Sequence, residues 1–306
     1  MRKTMLRGML TIAVLTVWMA FNYPLSTPVP TPEQNTYEAT DYRVEPCSAY
    51  NTAFQPGEEM TYKLYYNWNF VWIAAGEVTF RVTDEGTLYH LSAQGKTYKS
   101  YDPFYKVRDR YDTYVDKQTL LPVTSIREVQ EGGYRLYDKI TFDQNGRKAV
   151  SLRGKSKDIA KPTEYKIDEC MHDILSILYF TRNVDFNQIS AGTNIPVKIF
   201  VDKATWPLKV RYLGREGNKK IKGLGRFKTI RFSPQVIDND FYFKKGTEMK
   251  AWATDDKNKI PLMIESPLSV GSVKAVLKSY KGLKHSMAAK VGEDDGKDED
   301  PNDPDK

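Results

Sequence analysis

A mainly β fold is what this sequence predicts, either an antiparallel up-and-down barrel or a strongly curved meander sheet with one main α-helix. Three observations carry that reading. Apolar and polar residues alternate from Thr61, with Tyr62, Leu64, Tyr66, Trp68 and Phe70 on one face and Thr61, Lys63, Tyr65, Asn67 and Asn69 on the other. The same period of two recurs in many short segments divided by turn residues. It switches to helical spacing at one place, where Met171, Ile174, Leu175 and Leu178 recur.

After the first long strand, Val71 to Ala75 lead to Gly76, and Val78, Phe80 and Val82 then alternate with Glu77, Thr79 and Arg81. A glycine inside such a run marks a bulge or bend. Further strands are predicted at Leu88 to Ala93, Tyr111 to Val115, Val123 to Val129, Tyr134 to Phe142 and Lys148 to Leu152. Gly132-Gly133 and Asn145-Gly146 supply tight turns. Asp168 and Glu169 favour a helix start, and the helix is predicted to run to about Arg182. Strands follow near Asn194 to Asp202, Leu208 to Gly214, Gly223 to Ser233, Glu248 to Thr254, Ile260 to Glu265 and Ser272 to Tyr280. Hairpin turns are placed at Gly217-Asn218 and Asp255 to Lys259.

The two ends of the chain have a different character. Arg2, Lys3 and Arg7 precede an uncharged apolar run from Met9 to Phe21, the pattern of a secretory signal, so residues 1–23 are expected to direct export. Trp18 and Met19 before Ala20 make a poor cleavage site, which leaves an uncleaved anchor as the alternative. Residues 24–46 hold Pro24, Pro28, Pro30, Pro32 and Pro46 and read as a spacer. Residues 292–306 are dominated by Asp and Glu and are expected to be disordered. The body, residues 47–291, has the length of one all-β domain. The net charge is +7 although the tail is acidic, so the body is strongly basic. That excess suits anionic lipid headgroups or glycans, or simply blunts strand edges and keeps the protein soluble. No nucleic-acid-binding motif is present, and nucleic acid is not expected as a partner.

Cys47 and Cys170 are the two cysteines of a chain read as exported, and an even count in an oxidising compartment suggests one disulfide. Metal binding is the weaker reading, because only His172 stands near either cysteine. No nucleophile elbow, phosphate loop or paired metal-binding histidines appear. His90, His172 and His285 are the only histidines and none has a partner at ligand spacing. No catalytic residue, metal or cofactor is therefore assigned, which leaves open only a site assembled from distant residues. Asp173, Ser176, Tyr179 and Arg182 fit a polar anchor to the sheet or helix termination better than catalysis. Asp255 and Asp256, between Trp252 and Pro261, are explained by a tight turn better than by a calcium site. Aromatic residues are the more informative feature. Tyr62, Tyr66, Trp68, Phe70 and Trp72 are the tentative ligand-binding residues, lining a cavity in a curved sheet; the equal alternative is that aromatic pairs only stabilise the strands.

Several segments together resemble a known family, the bacterial domain of unknown function 3108 of exported Gram-negative proteins. They are Phe54 to Tyr62, Ala74 to Glu77, Asp173 to Tyr179, Trp252 to Asp256 and Ile260-Pro261, in matching order and spacing. The resemblance implies a periplasmic or envelope-facing β protein and carries no functional residues with it. The paired cysteines resemble those of members from Bacteroides and its relatives, which strengthens the disulfide expectation. The leading expectation is an exported, non-catalytic envelope protein that binds or shelters a lipidic or amphiphilic molecule. The alternative is an envelope scaffold that binds another protein or an anionic glycan; a hydrolase of envelope polymers stands third.

Overall fold

The computed structural model describes residues 50–68, 71–234, 248–268 and 271–294. The signal-like segment, the spacer, Cys47 and residues 295–306 lie outside the described residues. The body is an antiparallel sheet of fifteen strands: β1 Glu59–Trp68, β2 Val71–Glu85, β3 Leu88–Thr97, β4 Arg108–Asp116, β5 Pro122–Glu131, β6 Tyr134–Asp143, β7 Lys148–Gly154, β8 Lys161–Lys166, β9 Asn194–Val201, β10 Ala204–Ile221, β11 Gly225–Pro234, β12 Lys250–Thr254, β13 Pro261–Pro267, β14 Ser272–Lys281 and β15 Lys290–Gly292. Strands β1 to β8 and β9 to β14 form two meanders joined where β1 pairs with β14, and β15 adds to β11. β8 and β9 are the two ends of the strand order and do not pair with each other, so the sheet curves without closing.

The curvature shows in what is buried. One core cluster joins Met60, Tyr62, Leu64 and Tyr66 of β1 to Leu91, Tyr111, Ile199, Phe227, Trp252 and Leu277 on strands far apart in the sheet. A second cluster brings Phe200 of β9 against Phe142 of β6 and Tyr165 of β8, with ring centroids 6.3 and 5.5 Å apart. The two edges therefore face each other across packed aromatic rings.

The helix α1 spans Ile174–Thr181, shorter at its start than its apolar spacing predicts. Cys170 takes φ 56°, a left-handed conformation that interrupts any helix entering from Asp168 and Glu169. His172 instead bridges to Ile199, and α1 begins only at its N-cap Asp173. Ile174, Leu175, Tyr179 and Phe180 all enter the main core, so α1 fills part of the curved sheet's interior.

Two turns differ from expectation. Gly217 and Asn218 lie inside the single long strand β10, where the register with β11 shifts between Glu216 and Lys219; they form an irregularity, and the hairpin turns at residues 222–224. Strands β8 and β15 carry no alternation strong enough to announce them, and β8 is almost wholly exposed. Ordered chain also runs past residue 291: Asp294 accepts from the Gly223 backbone and lies 3.5 Å from Lys220. Gly76 behaves as its position suggests. The pairing of β1 with β2 slips at Ala75, and a side chain at Gly76 would collide with the Lys96 carbonyl oxygen of β3.

Candidate functional site

Antiparallel order sorts every connection to one of two ends. The turns after β2, β4, β6, β10 and β12, the segment carrying α1, and the chain entering β1 lie at one end. The connections after β1, β3, β5, β7, β9 and β13 lie at the other.

The first end is closed by a buried polar knot. Arg182, the C-cap of α1, is 3% exposed and clamps Glu58 through two bonds of 2.6 and 2.8 Å. It also donates to the Asn258 and Ala53 carbonyls and lies over the rings of Phe54 and Tyr179. Burial opposes the charge on Arg182, but the Glu58 carboxylate outweighs it and raises the pKa. Asn258 is held by the turn of Asp256, whose carboxylate accepts from Thr254, Asn258 and Lys259. Asp255 is taken up by Arg215 at 2.9 Å. Asp256 thus builds the turn, and Asp255 ties it to β10.

At the other end of α1, Asp173 and Ser176 form a capping box, and Thr113 of β4 donates to the Asp173 carboxylate at 2.5 Å. His172 lies beside Ser176 at 3.1 Å, but burial pushes its imidazole down to about 3, so it stays neutral. Asp173 therefore anchors the helix to the sheet through Thr113, Ser176 completes its cap, and Arg182 ties its C-terminal end into the closing knot. A second clamp joins the two meanders: Asp202, in the β9–β10 turn, meets Arg127 of β5 at 2.6 Å and Arg153 of β7 at 2.7 Å, and both arginines also bind Asp138. Burial opposes the charge on Asp138, yet Arg127 and Arg153 hold its carboxyl below the usual range. The void beside this clamp, between Tyr111, Asp173 and Phe200, is about 10 Å³, room for about one water.

The second end is different in kind. Residues directly opposite in an antiparallel pair share a face, and β2 sets Ile73 opposite the buried Tyr66, so Ile73 and Val71 lie on the core-facing side. They are nevertheless 38% and 60% exposed. β3 reaches only to the level of Gly76, so β2 projects past it here. Half-buried Tyr101, Tyr105, Tyr134 and Trp206 pack on the core around this end. Below them Asp109 and Glu131 form a buried carboxyl pair; burial, and for Glu131 also the charge of its neighbour, pushes both pKa values up.

The aromatic residues singled out in the sequence are not one surface. Tyr62 and Tyr66 are in the packed core, with the Tyr62 hydroxyl donating to the Pro261 carbonyl at 2.8 Å. Trp72 pairs with Asn67, and the bulge at Ala75 puts it on the opposite face, beneath the Lys274 ammonium at 4.3 Å. Trp68 ends β1, and Phe70 lies outside the described residues. Sequence reading missed Val71 and Ile73 because the bulge reverses the alternation that assigns their face. On the outer surface, Thr83, His90 and Asp112 of adjacent strands fall in line, at 3.2 and 2.7 Å. His90 stacks flat on Tyr114 at 4.6 Å and Asp112 is also taken by Arg110, a cross-strand ladder of the kind that stabilises sheets.

Comparison with known proteins agrees with this fold. The family described as protein of unknown function DUF3108 matches residues 61–278. No curated protein matches the chain. A beta-barrel-like protein of domain of unknown function DUF1849 from Brucella abortus is similar in structure, with a TM-score of 0.52 at 8% identity over 75% of this chain and 98% of that one. A "putative lipoprotein" from Parabacteroides distasonis gives 0.29 at 12% identity, over 77% and 99% of the two chains. A "putative exported protein" with a YmcC-like fold from Bacteroides fragilis gives 0.27 at 10%, over 76% and 99%. Among the described residues, no helix is long and apolar enough to cross a membrane.

Proposed function

The chain belongs to the DUF3108 family, and from that premise we propose that it is an exported, non-catalytic protein of the cell envelope whose β body takes up the apolar part of a lipidic or amphiphilic ligand. The observation that carries the reading is the core-facing pair Val71 and Ile73, left exposed beside the buried Tyr66. Apolar side chains on the inner face of a curved sheet are normally covered, and an open patch of them is a place where an acyl chain or similar group gains by leaving water. Half-buried Tyr101, Tyr105, Tyr134 and Trp206 suit the boundary between that group and solvent, since each has an apolar ring and a polar edge. Export through residues 1–23 supports a periplasmic or envelope-associated location, where amphiphiles are abundant.

The test is organic extraction and mass spectrometry of protein purified from its native envelope, beside Val71→Asp/Ile73→Asp. The wild type is expected to carry a lipidic molecule that the double variant lacks, while melting temperatures stay close. Equal and empty extracts from both would overturn the reading.

A further inference from the structure

A separate feature lies on the outer face of β2 to β6, a concavity of about 560 Å³. Seven cationic side chains line it: Arg81, Lys96, Arg108, Arg110, Arg135, Lys155 and Lys157. Glu128 is the carboxylate of the lining that shares this outer face, since Asp109 belongs to the buried inner pair with Glu131. Three of the arginines are fixed by neighbouring carboxylates: Glu59 binds Arg81 at 2.8 Å, Asp102 binds Arg108 at 2.6 Å and Asp112 binds Arg110 at 2.6 Å. Arg135, Lys155 and Lys157 form no ion pair with a carboxylate among the described residues, while Lys96 stands opposite Glu77, which Lys278 also holds. A fixed arginine pays less entropy on binding, and an unpaired cation has its full charge to offer.

We propose that this groove binds a linear acidic glycan, one bearing carboxylate or phosphate groups along its chain. The groove crosses five strands, which at the spacing of a sheet is a run of roughly 19 Å, with adjacent strands stepping by about the length of one pyranose ring. Along one row the register sets Thr79 beside Gln94, Gln94 beside Arg110, Arg110 beside Glu128 and Glu128 beside Tyr137. Hydroxyl and amide groups thus flank the charged pair in this row, the mixture that a hydroxylated polyanion satisfies. A flat anionic membrane fits less well, because the β7–β8 connection carrying Lys155 to Lys157 overhangs the groove. That connection turns so tightly that a side chain at Gly154 would collide with the Ala160 backbone. The site is independent of the ligand proposed for the open end, which lies on the other face of the sheet.

The experiment measures binding of oligogalacturonate to the mature exported protein at low salt. Malto-oligosaccharide of equal length, inorganic phosphate and phosphatidylglycerol vesicles run in parallel. Oligogalacturonate is expected to bind best, and Lys96→Ala/Arg135→Ala/Lys157→Ala to weaken it about tenfold or more. Lys228→Ala/Lys250→Ala/Lys257→Ala removes the same charge from the other meander and is expected to change affinity less than about twofold. Melting temperature checks that both variants fold, and the single Lys157→Glu serves if the triple does not. Equal losses from the two triples would overturn the proposal by showing general charge attraction. So would preferential binding of phosphate or vesicles, or cross-linking from Gln94 in the native envelope that captures protein and no glycan.

Discussion

The two ends of the curved sheet each hold a buried ionic cluster but differ in whether the apolar interior is covered. At the closed end the interior holds α1, and its polar groups answer one another: Glu58 with Arg182, Asn258 with Arg182, Asp256 with its own turn. At the open end Val71 and Ile73 face inward yet meet solvent, two buried acids, Asp109 and Glu131, are pushed together, and the clamp of Asp202 on Arg127 and Arg153 ties the two meanders without covering that apolar pair. The polar helix residues that the sequence offers are used in capping and closure, and the surface proposed for a ligand is made of residues with no motif. A buried charge is tolerated only when paired, so the knot fixes where α1 ends and leaves the opposite end as the place where apolar surface stays uncovered.

The largest way to break this contrast is at the knot. Glu58→Ala leaves Arg182 charged and buried without its partner, and is expected to cost about 3–5 kcal/mol in urea unfolding. Replacing both residues with methionine should cost less than the sum of the single changes. A loss below about 1 kcal/mol for Glu58→Ala would mean that the pair does not hold this end together.

The next effect concerns the chain entering the closed end. Cys170 is buried just before α1, while Cys47 lies outside the described residues, and we propose that the two are bonded in the exported protein. Single and double Cys→Ala variants are then expected to lose the same amount, about 2–4 kcal/mol, and a non-reduced digest to contain the linked peptides. Free alkylation of both thiols without reductant would refute the pairing.

A smaller effect tests the open end. Asp109 and Glu131 have folded pKa values raised above the unfolded ones of about 4, so the folded state holds protons that the unfolded state has released. Their contribution is fully present below about pH 4 and is lost as the pH rises through the folded values. Stability should therefore fall from pH 5 toward pH 9 by an amount on the order of 1–3 kcal/mol, and Asp109→Asn/Glu131→Gln should flatten that slope. An unchanged slope in the variant would assign the pH dependence elsewhere.

How legible this was depends on which interaction decided each element. Alternation marks most of the strands because one face of each is packed, as in β1, where Tyr62, Leu64 and Tyr66 are all buried. It does not mark β8, which packs on almost nothing. It misplaced a hairpin at Gly217-Asn218 because a glycine-asparagine pair serves a register slip as readily as a turn. The start of α1 was obscured because its apolar spacing extends back to Met171, whereas the backbone at Cys170 and the cap at Asp173 decide the boundary. The anchor role of Asp173 and Arg182 could be read from their spacing, but their partners Thr113 and Glu58 are remote in sequence. The exposed inner pair Val71 and Ile73 depends on one bulged residue, Ala75, and no pattern in a single sequence gives the face of a strand beyond a bulge.

The most direct measurement is photolabelling of the exported protein with a fatty acid that carries a diazirine near its methyl end, followed by peptide mapping. The account predicts adducts at the open end, on peptides containing Tyr66, Val71 and Ile73, and their loss in Val71→Asp/Ile73→Asp. Labelling confined to the closed end, on peptides containing Phe54, Tyr89 or Tyr179, would contradict it, as would adducts that persist unchanged in the double variant.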